Sequence, residues 1–97
     1  MNTPSTRTDT IEVILVEADA CHLCEDAKSA LEAMAAEHRL QLRRVDLSSV
    51  EGRAIMRSTR APMPPIVIID GELLGWGRLS RGKLRRRLEQ LEQRGSR

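Results

Sequence analysis

Met63-Pro64-Pro65-Ile66-Val67-Ile68-Ile69-Asp70-Gly71 holds three structural signals in one short run. Adjacent prolines cannot continue a helix, and they bias the backbone before them toward extended conformations. The four residues Ile66–Ile69 are all β-branched and carry no polar alternation, as expected of a strand covered on both faces. Asp70-Gly71 is a strong two-residue hairpin turn, so Glu72 to Gly75 reads as the return strand. The stretch is a buried hairpin entered through prolines.

Upstream of it, Ile11-Glu-Val-Ile-Leu-Val16 is a second β-branched, mostly apolar run and reads as a first strand. Glu17 to Ala20 form the turn that delivers Cys21-His22-Leu23-Cys24. From Leu23 the apolar positions Ala27, Ala30, Leu31, Met34 and Ala35 recur at intervals of three and four, which defines one face of a helix. Asp19 or a neighbour is the expected cap. Leu40 to Leu47 alternates apolar and polar residues, giving a strand. Ser48 with Glu51 three residues on is a capping-box pattern, expected to open a short helix through about Met56 that Gly52 weakens. Ser58 to Pro65, with Pro62 and Pro64, is an irregular approach to the hairpin. Beyond it, Gly75-Trp76-Gly77 precedes a last helix, roughly 80–93, with Leu84, Leu88 and Leu91 inward. The order is βαβαββα: an α/β domain over 11–93, with tails at 1–10 and 94–97, no repeat and no second domain.

Composition narrows the function. The chain has 97 residues, enough for one modest core, and contains no Phe or Tyr and a single Trp, Trp76. Net charge is +2, but it is unevenly spread. Residues 1–77 hold eight basic against twelve acidic side chains, and residues 78–97 hold eight against two. Six acids and only Lys28 lie within 17–37, so the cysteine region is locally negative. The basic run Arg78, Arg81, Lys83, Arg85, Arg86, Arg87 lacks the interleaved aromatics or reading motif of a nucleic-acid surface and reads as a solvated helix face. No apolar run reaches membrane-spanning length, and the polar N-terminus lacks the apolar core of a secretory signal. A soluble cytoplasmic monomer is the expectation. In that reducing setting a lone CxxC points to catalysis or metal binding rather than to a structural bridge.

Cys21 and Cys24 are the only cysteines. A thiol at the first turn of a helix faces unpaired backbone N–H groups and the positive end of the dipole, which stabilise thiolate over thiol. CxxC thiols in such places titrate between roughly 3.5 and 7.5 instead of about 8.5. Cys21 is therefore the candidate nucleophile, and Cys24, a turn further in and more covered, the candidate resolving thiol. A closed zinc site needs four ligands. Only His22 and His38 could join the sulfurs, and His38 is expected several turns along the helix. A two-coordinate Cu(I) site suits soft thiolates; a CxxC module binding Cu(I) or Zn is the metal alternative, alongside a non-catalytic interaction domain.

The CxxC between strand and helix, the Met63–Gly71 block, and the βαβαββα order with Gly75-Trp76-Gly77 before the last helix together resemble the thioredoxin-like superfamily, its glutaredoxin-like branch in particular. The resemblance covers roughly residues 11–92. It implies a four-stranded mixed sheet flanked by helices and a thiol–disulfide oxidoreductase that needs no metal or organic cofactor. It also implies protein or small disulfide substrates, and a small thiol or a reductase as electron donor. Pro65 aligns with the family's cis-proline, which with the residue before it, Pro64, shapes the substrate groove, and Gly75, Trp76 and Gly77 border that groove. The chain departs from the family in three places. Pro64 has no N–H for an incoming backbone. Ala18, flanked by Glu17 and Asp19, stands where relatives often carry a lysine, and His22-Leu23 replaces an aromatic inside the motif. The acids should oppose the Cys21 thiolate and repel the carboxylates of glutathione, with protonated His22 as a modulating counterweight.

Overall fold

The computed structural model describes residues 10–95. Its elements are β1 (Ile11–Glu17), α1 (His22–Ala35), β2 (Leu40–Asp46), α2 (Val50–Thr59), β3 (Ile66–Ile69), β4 (Glu72–Trp76) and α3 (Arg81–Gly95). Of the expected tails, residues 1–9, 96 and 97 lie outside the described residues, and 94 and 95 belong to α3. The four strands form one mixed sheet in the order β2-β1-β3-β4. β1 runs parallel to β2, with Val16 opposite Val45, and antiparallel to β3, with Val16 opposite Ile66. Asp70 and Gly71 both take positive φ, 54° and 82°, as the favoured two-residue hairpin turn requires.

β1 is covered on both faces, which is why its sequence does not alternate cleanly. Val13 and Leu15 join Ala27, Ala30, Leu31 and Met34 of α1 and Leu84, Leu88 and Leu91 of α3 in one cluster. Val16 points the other way and joins Val45, Ala61 and Ile66, with Ile55 and Met56 of α2 packed against them. The inner face of α1 begins at Cys24 rather than Leu23. Leu23 is half-buried and Ala35 exposed, while Cys24 is 1% exposed. A sulfur thus occupies the first core position of the helix.

The helix starts differ from the capping residues read from sequence. α1 is capped by Cys21 itself, not Asp19. α2 is capped by Ser49, whose hydroxyl accepts from the Gly52 amide at 3.0 Å. Ser48 is engaged elsewhere: its hydroxyl and amide both donate to the Asp46 carboxylate, at 2.7 and 2.8 Å, and hold that carboxyl below its ordinary range. Glu51, which would complete a capping box with Ser48, instead takes a two-pronged ion pair from Arg43 at 2.8 and 2.7 Å. α2 also runs past Met56 to Thr59, where Arg60 turns left-handed with φ 59°. Ser49→Ala should therefore lower unfolding free energy by about 1 kcal/mol in urea titrations, and Ser48→Ala by less.

The basic run is not simply a solvated face. Arg81 bonds Asp26, Arg85 bonds Glu37, and Arg87 bonds Glu72. His38 lies beyond the end of α1 and bonds Glu92 at 2.5 Å. The base of α3 thus meets acids of α1, of the loop after it and of β4. The exposed pairs Arg81–Asp26 and Arg85–Glu37 each contribute about 0–1 kcal/mol, so their main effect is to set how α3 seats. No helix among the described residues is long and apolar enough to cross a membrane.

Candidate functional site

The parallel register of β1 and β2 and the antiparallel register of β1 and β3 bring four chain segments to one end of the sheet. Glu17 stands opposite Asp46, Val16 opposite Ile66, and Ile66 opposite Trp76. The loop after β1, the proline before β3 and the Trp76-Gly77 corner after β4 therefore share an end. The Leu47 amide donates to the Glu17 carbonyl and the Gly77 amide to the Pro65 carbonyl, both at 2.8 Å, tying these segments together. Gly77 takes φ 73° at this corner, a conformation that glycine adopts without the steric cost a Cβ would bring.

Cys21 and Cys24 are joined as a disulfide, with their Cα atoms 5.2 Å apart. Cys21 is half-buried, whereas Cys24 lies in the core. The Cys21 sulfur accepts the Cys24 amide at 3.1 Å, so the outer sulfur is also the helix cap. In the reduced state that N–H and the helix dipole act on the sulfur that reaches solvent. Ala20, just before it, is held at φ 52°, a left-handed conformation that costs a non-glycine residue about 1–2 kcal/mol. This is the sharp turn that swings the chain from β1 into the cap, and an alanine gives no sequence signal of it.

The remaining predicted site residues fall as follows. The Pro64–Pro65 peptide bond is cis; Pro65 is fully buried and Pro64 partly exposed. His22 is exposed at the first turn of α1. Trp76 is 47% exposed, Gly75 half-buried and Gly77 buried. Gly75, Trp76 and Gly77 line a pocket of about 120 Å³ floored by Val67, Leu74 and Leu79, with Arg78 and Lys83 at its rim. On the opposite flank an open polar depression of about 400 Å³ is lined by Glu17, Asp19, Glu25, Asp46 and Arg44. Among the described residues no group of three or more His, Cys, Asp and Glu side chains is arranged to hold a metal ion. His38 is engaged with Glu92, and its other ring nitrogen is buried without a partner.

The acidity around Cys21 is weaker than the sequence implies. Of the acids in 17–37, Glu17, Asp26 and Glu37 each carry an arginine, from β2 or α3. Arg44 lines the same depression as residues 17–20, which lead to Cys21, and its Nε donates to Glu17 at 2.5 Å. The Glu17 hydrogen bond and charge, with Glu25 and Glu32 further off, hold its guanidinium above the ordinary range. Arg44 thus supplies a cation close to the place where the CxxC approach has Ala18 between two acids. Only the in-register pairing of β1 with β2 reveals it. Arg44→Gln leaves Glu17 uncompensated and disfavours the Cys21 thiolate. Alkylation of reduced Cys21 at neutral pH should slow about two- to fivefold, the range of an exposed charge pair.

The sequence matches the family described as "Glutaredoxin-like domain (DUF836)" over residues 12–89. No curated protein matches it. Among solved structures, a mutant thioredoxin from Halobacterium salinarum NRC-1 superposes with TM-score 0.66 at 18% identity, covering 91% of this chain and 80% of that one. The thioredoxin-2 described as a component of malaria parasite protein secretion machinery gives TM-score 0.61 at 20% identity, covering 84% and 82%. A structure described only as a malarial protein gives 0.60 at 18%, covering 89% and 97%. At these identities the likeness is one of fold.

Proposed function

Because this chain belongs to the glutaredoxin-like (DUF836) domain family, we propose that it is a thiol–disulfide oxidoreductase, with Cys21 as nucleophile and Cys24 as resolving thiol. The observation that carries the reading is the asymmetry of the pair. The outer sulfur caps α1 and accepts the Cys24 amide, while the inner one is 1% exposed. Thiolate attack needs both access and a stabilised negative charge, and only Cys21 has both.

The exchange proceeds in two balanced steps. The Cys21 thiolate attacks one sulfur of a substrate disulfide, forming a mixed disulfide and expelling the other sulfur as thiolate, which takes up a proton. Cys24 then loses its proton and attacks the Cys21 sulfur. The second substrate thiolate leaves, and the Cys21–Cys24 disulfide closes. The substrate has gained two electrons and the protein has lost two. A small thiol or a reductase must return them, and in a reducing compartment such as the cytoplasm the resting form is the dithiol.

Pro65 shapes the floor against which the substrate backbone lies. Pro64 offers its carbonyl but no N–H, so a bound peptide or glutathione has one backbone partner fewer at this position. His22, exposed beside the nucleophile, favours the thiolate when protonated. Gly75, Trp76 and Gly77 border the groove on the β4 side.

The test offers the oxidised protein glutathione, a second low-molecular-weight thiol, or thioredoxin reductase with NADPH, in separate reactions, and follows thiol labelling of Cys21 and Cys24 with time. Rapid reduction by at least one donor, coupled to turnover of a peptide disulfide, is the expected result. Reduction by none of them overturns the reading.

A further inference from the structure

The outer side of β4 has no partner strand among the described residues. An edge strand presents unpaired N–H and C=O groups that another chain can extend, and proteins commonly guard such edges with proline or lysine on the strand. Glu72-Leu73-Leu74-Gly75-Trp76 carries neither, and its one irregularity is Leu74, an extra residue between the pairs Ile68–Leu73 and Val67–Gly75. Its two faces differ. Leu73 stands opposite Ile68 and Trp76 opposite Ile66, and opposed residues point to the same side of a sheet. Both therefore lie on the α2 side with Ile66 and Ile68, yet they remain 43% and 47% exposed. That side of the strand is an uncovered apolar strip. A groove of about 330 Å³ runs between β4 and α3, lined by Glu72, Leu73 and Leu74 of the strand and by Lys83, Arg86, Arg87 and Gln90 of the helix. Arg87 is taken up by Glu72. Lys83 and Arg86 form no ion pair with an acid among the described residues.

We propose that the outer edge of β4 is a docking strip for an extended acidic segment of a partner protein, which adds to the sheet as a fifth strand. An added strand turns alternate side chains to each side, with same-side neighbours about 6.7 Å apart. Lys83 and Arg86 follow each other by about 4.5 Å along α3, within the reach of such a pair of carboxylates. Apolar residues at the intervening positions cover Leu73 and Trp76. The segment is thus one that alternates acidic and apolar residues. A second copy of this chain is a poor occupant. Pairing two β4 strands brings the Lys83 and Arg86 of both copies to one seam, and the only acid the strand offers, Glu72, is already bonded to Arg87. The strip shares Gly75 and Trp76 with the border of the substrate groove, but it uses neither cysteine, so loss of the redox reading would leave the proposal standing.

Trp76 is the only tryptophan and the chain has no Tyr or Phe, so its fluorescence reports on the strip directly. The full oxidised chain is titrated with a blocked peptide of about eight residues alternating glutamate and valine, and separately with its lysine–valine counterpart. The glutamate peptide is expected to shift Trp76 emission to the blue and to move the amide resonances of Leu73 and Gly75 most. Its affinity should fall about tenfold or more in the variant Lys83→Glu, Arg86→Glu and be retained in Lys83→Arg, Arg86→Lys. It should also weaken as salt rises from about 0.05 to about 0.5 M. Equal binding of the lysine peptide overturns the proposal, as does no binding at about 1 mM peptide. Amide shifts remote from β4, or a dimer in sedimentation that the Lys83→Glu, Arg86→Glu variant strengthens, would do the same.

Discussion

Cys21→Ser is expected to bring disulfide turnover down to the rate without protein, while leaving the fold intact. Cys21 is half-buried and contributes no core packing, and serine is itself a good helix cap, so α1 keeps its start. What is lost is the outer sulfur of the pair, since Cys24 is 1% exposed. Cys24→Ser behaves differently. It keeps the first exchange at Cys21 and removes the second, so single-turnover attack continues and multiple turnover depends on an external thiol. It also places a hydroxyl at a core position that is 1% exposed, which costs about 1–3 kcal/mol if the group finds no partner. Paired measurements, single-turnover thiol release and steady-state reduction of a peptide disulfide, separate the two roles. Equal loss in both variants on both readouts would contradict the assignment of nucleophile and resolving thiol.

The second large effect is at Gly52. Helix propensity alone predicts that Gly52→Ala stabilises α2 by about 1 kcal/mol. The expected result is the reverse: a loss of about 2–3 kcal/mol or more, of the kind produced by overpacking, read from the urea midpoint at unchanged slope. A Cβ at Gly52 would lie 2.1 Å from the Asp46 carbonyl oxygen and 2.8 Å from the Leu47 Cα. Both are backbone atoms and cannot swing aside as the end of a side chain would. The clash falls where β2 hands over to α2, beside the Ser49 cap whose hydroxyl accepts the Gly52 amide. Asp46 is opposite Glu17 in the sheet, so displacement there also disturbs the loop that delivers Cys21.

These two positions show what sequence can and cannot convey. The strands, their order and the CxxC at a helix start were legible because each rests on local pattern: β-branched runs, an Asp-Gly turn, spacing of three and four. The family match and the thioredoxin-like superposition agree with that reading. Contacts between elements were not legible. Gly52 looks like a helix weakener until the backbone of β2 lies against it. The capping-box spacing favours Ser48 over Ser49, and the capture of Ser48 by Asp46 is what gives the cap of α2 to Ser49. The charges at 17–37 and 78–97 look like separate acidic and basic patches. In the fold they cancel in part through Arg44–Glu17, Arg81–Asp26 and Arg85–Glu37, pairs separated by tens of residues. Ala20 gives no hint of its left-handed turn, because alanine carries no preference for one.

The most direct test of the central claim is to trap the first intermediate. Reduced Cys24→Ser protein is mixed with a peptide disulfide, quenched with acid and analysed by intact mass and by fragmentation of the Cys21-containing peptide. One peptide thiol bound through Cys21 is the predicted result, with no such adduct formed at Cys24 in Cys21→Ser. An adduct at Cys24 in Cys21→Ser, or none in Cys24→Ser under conditions where the unmodified protein turns over, would contradict it.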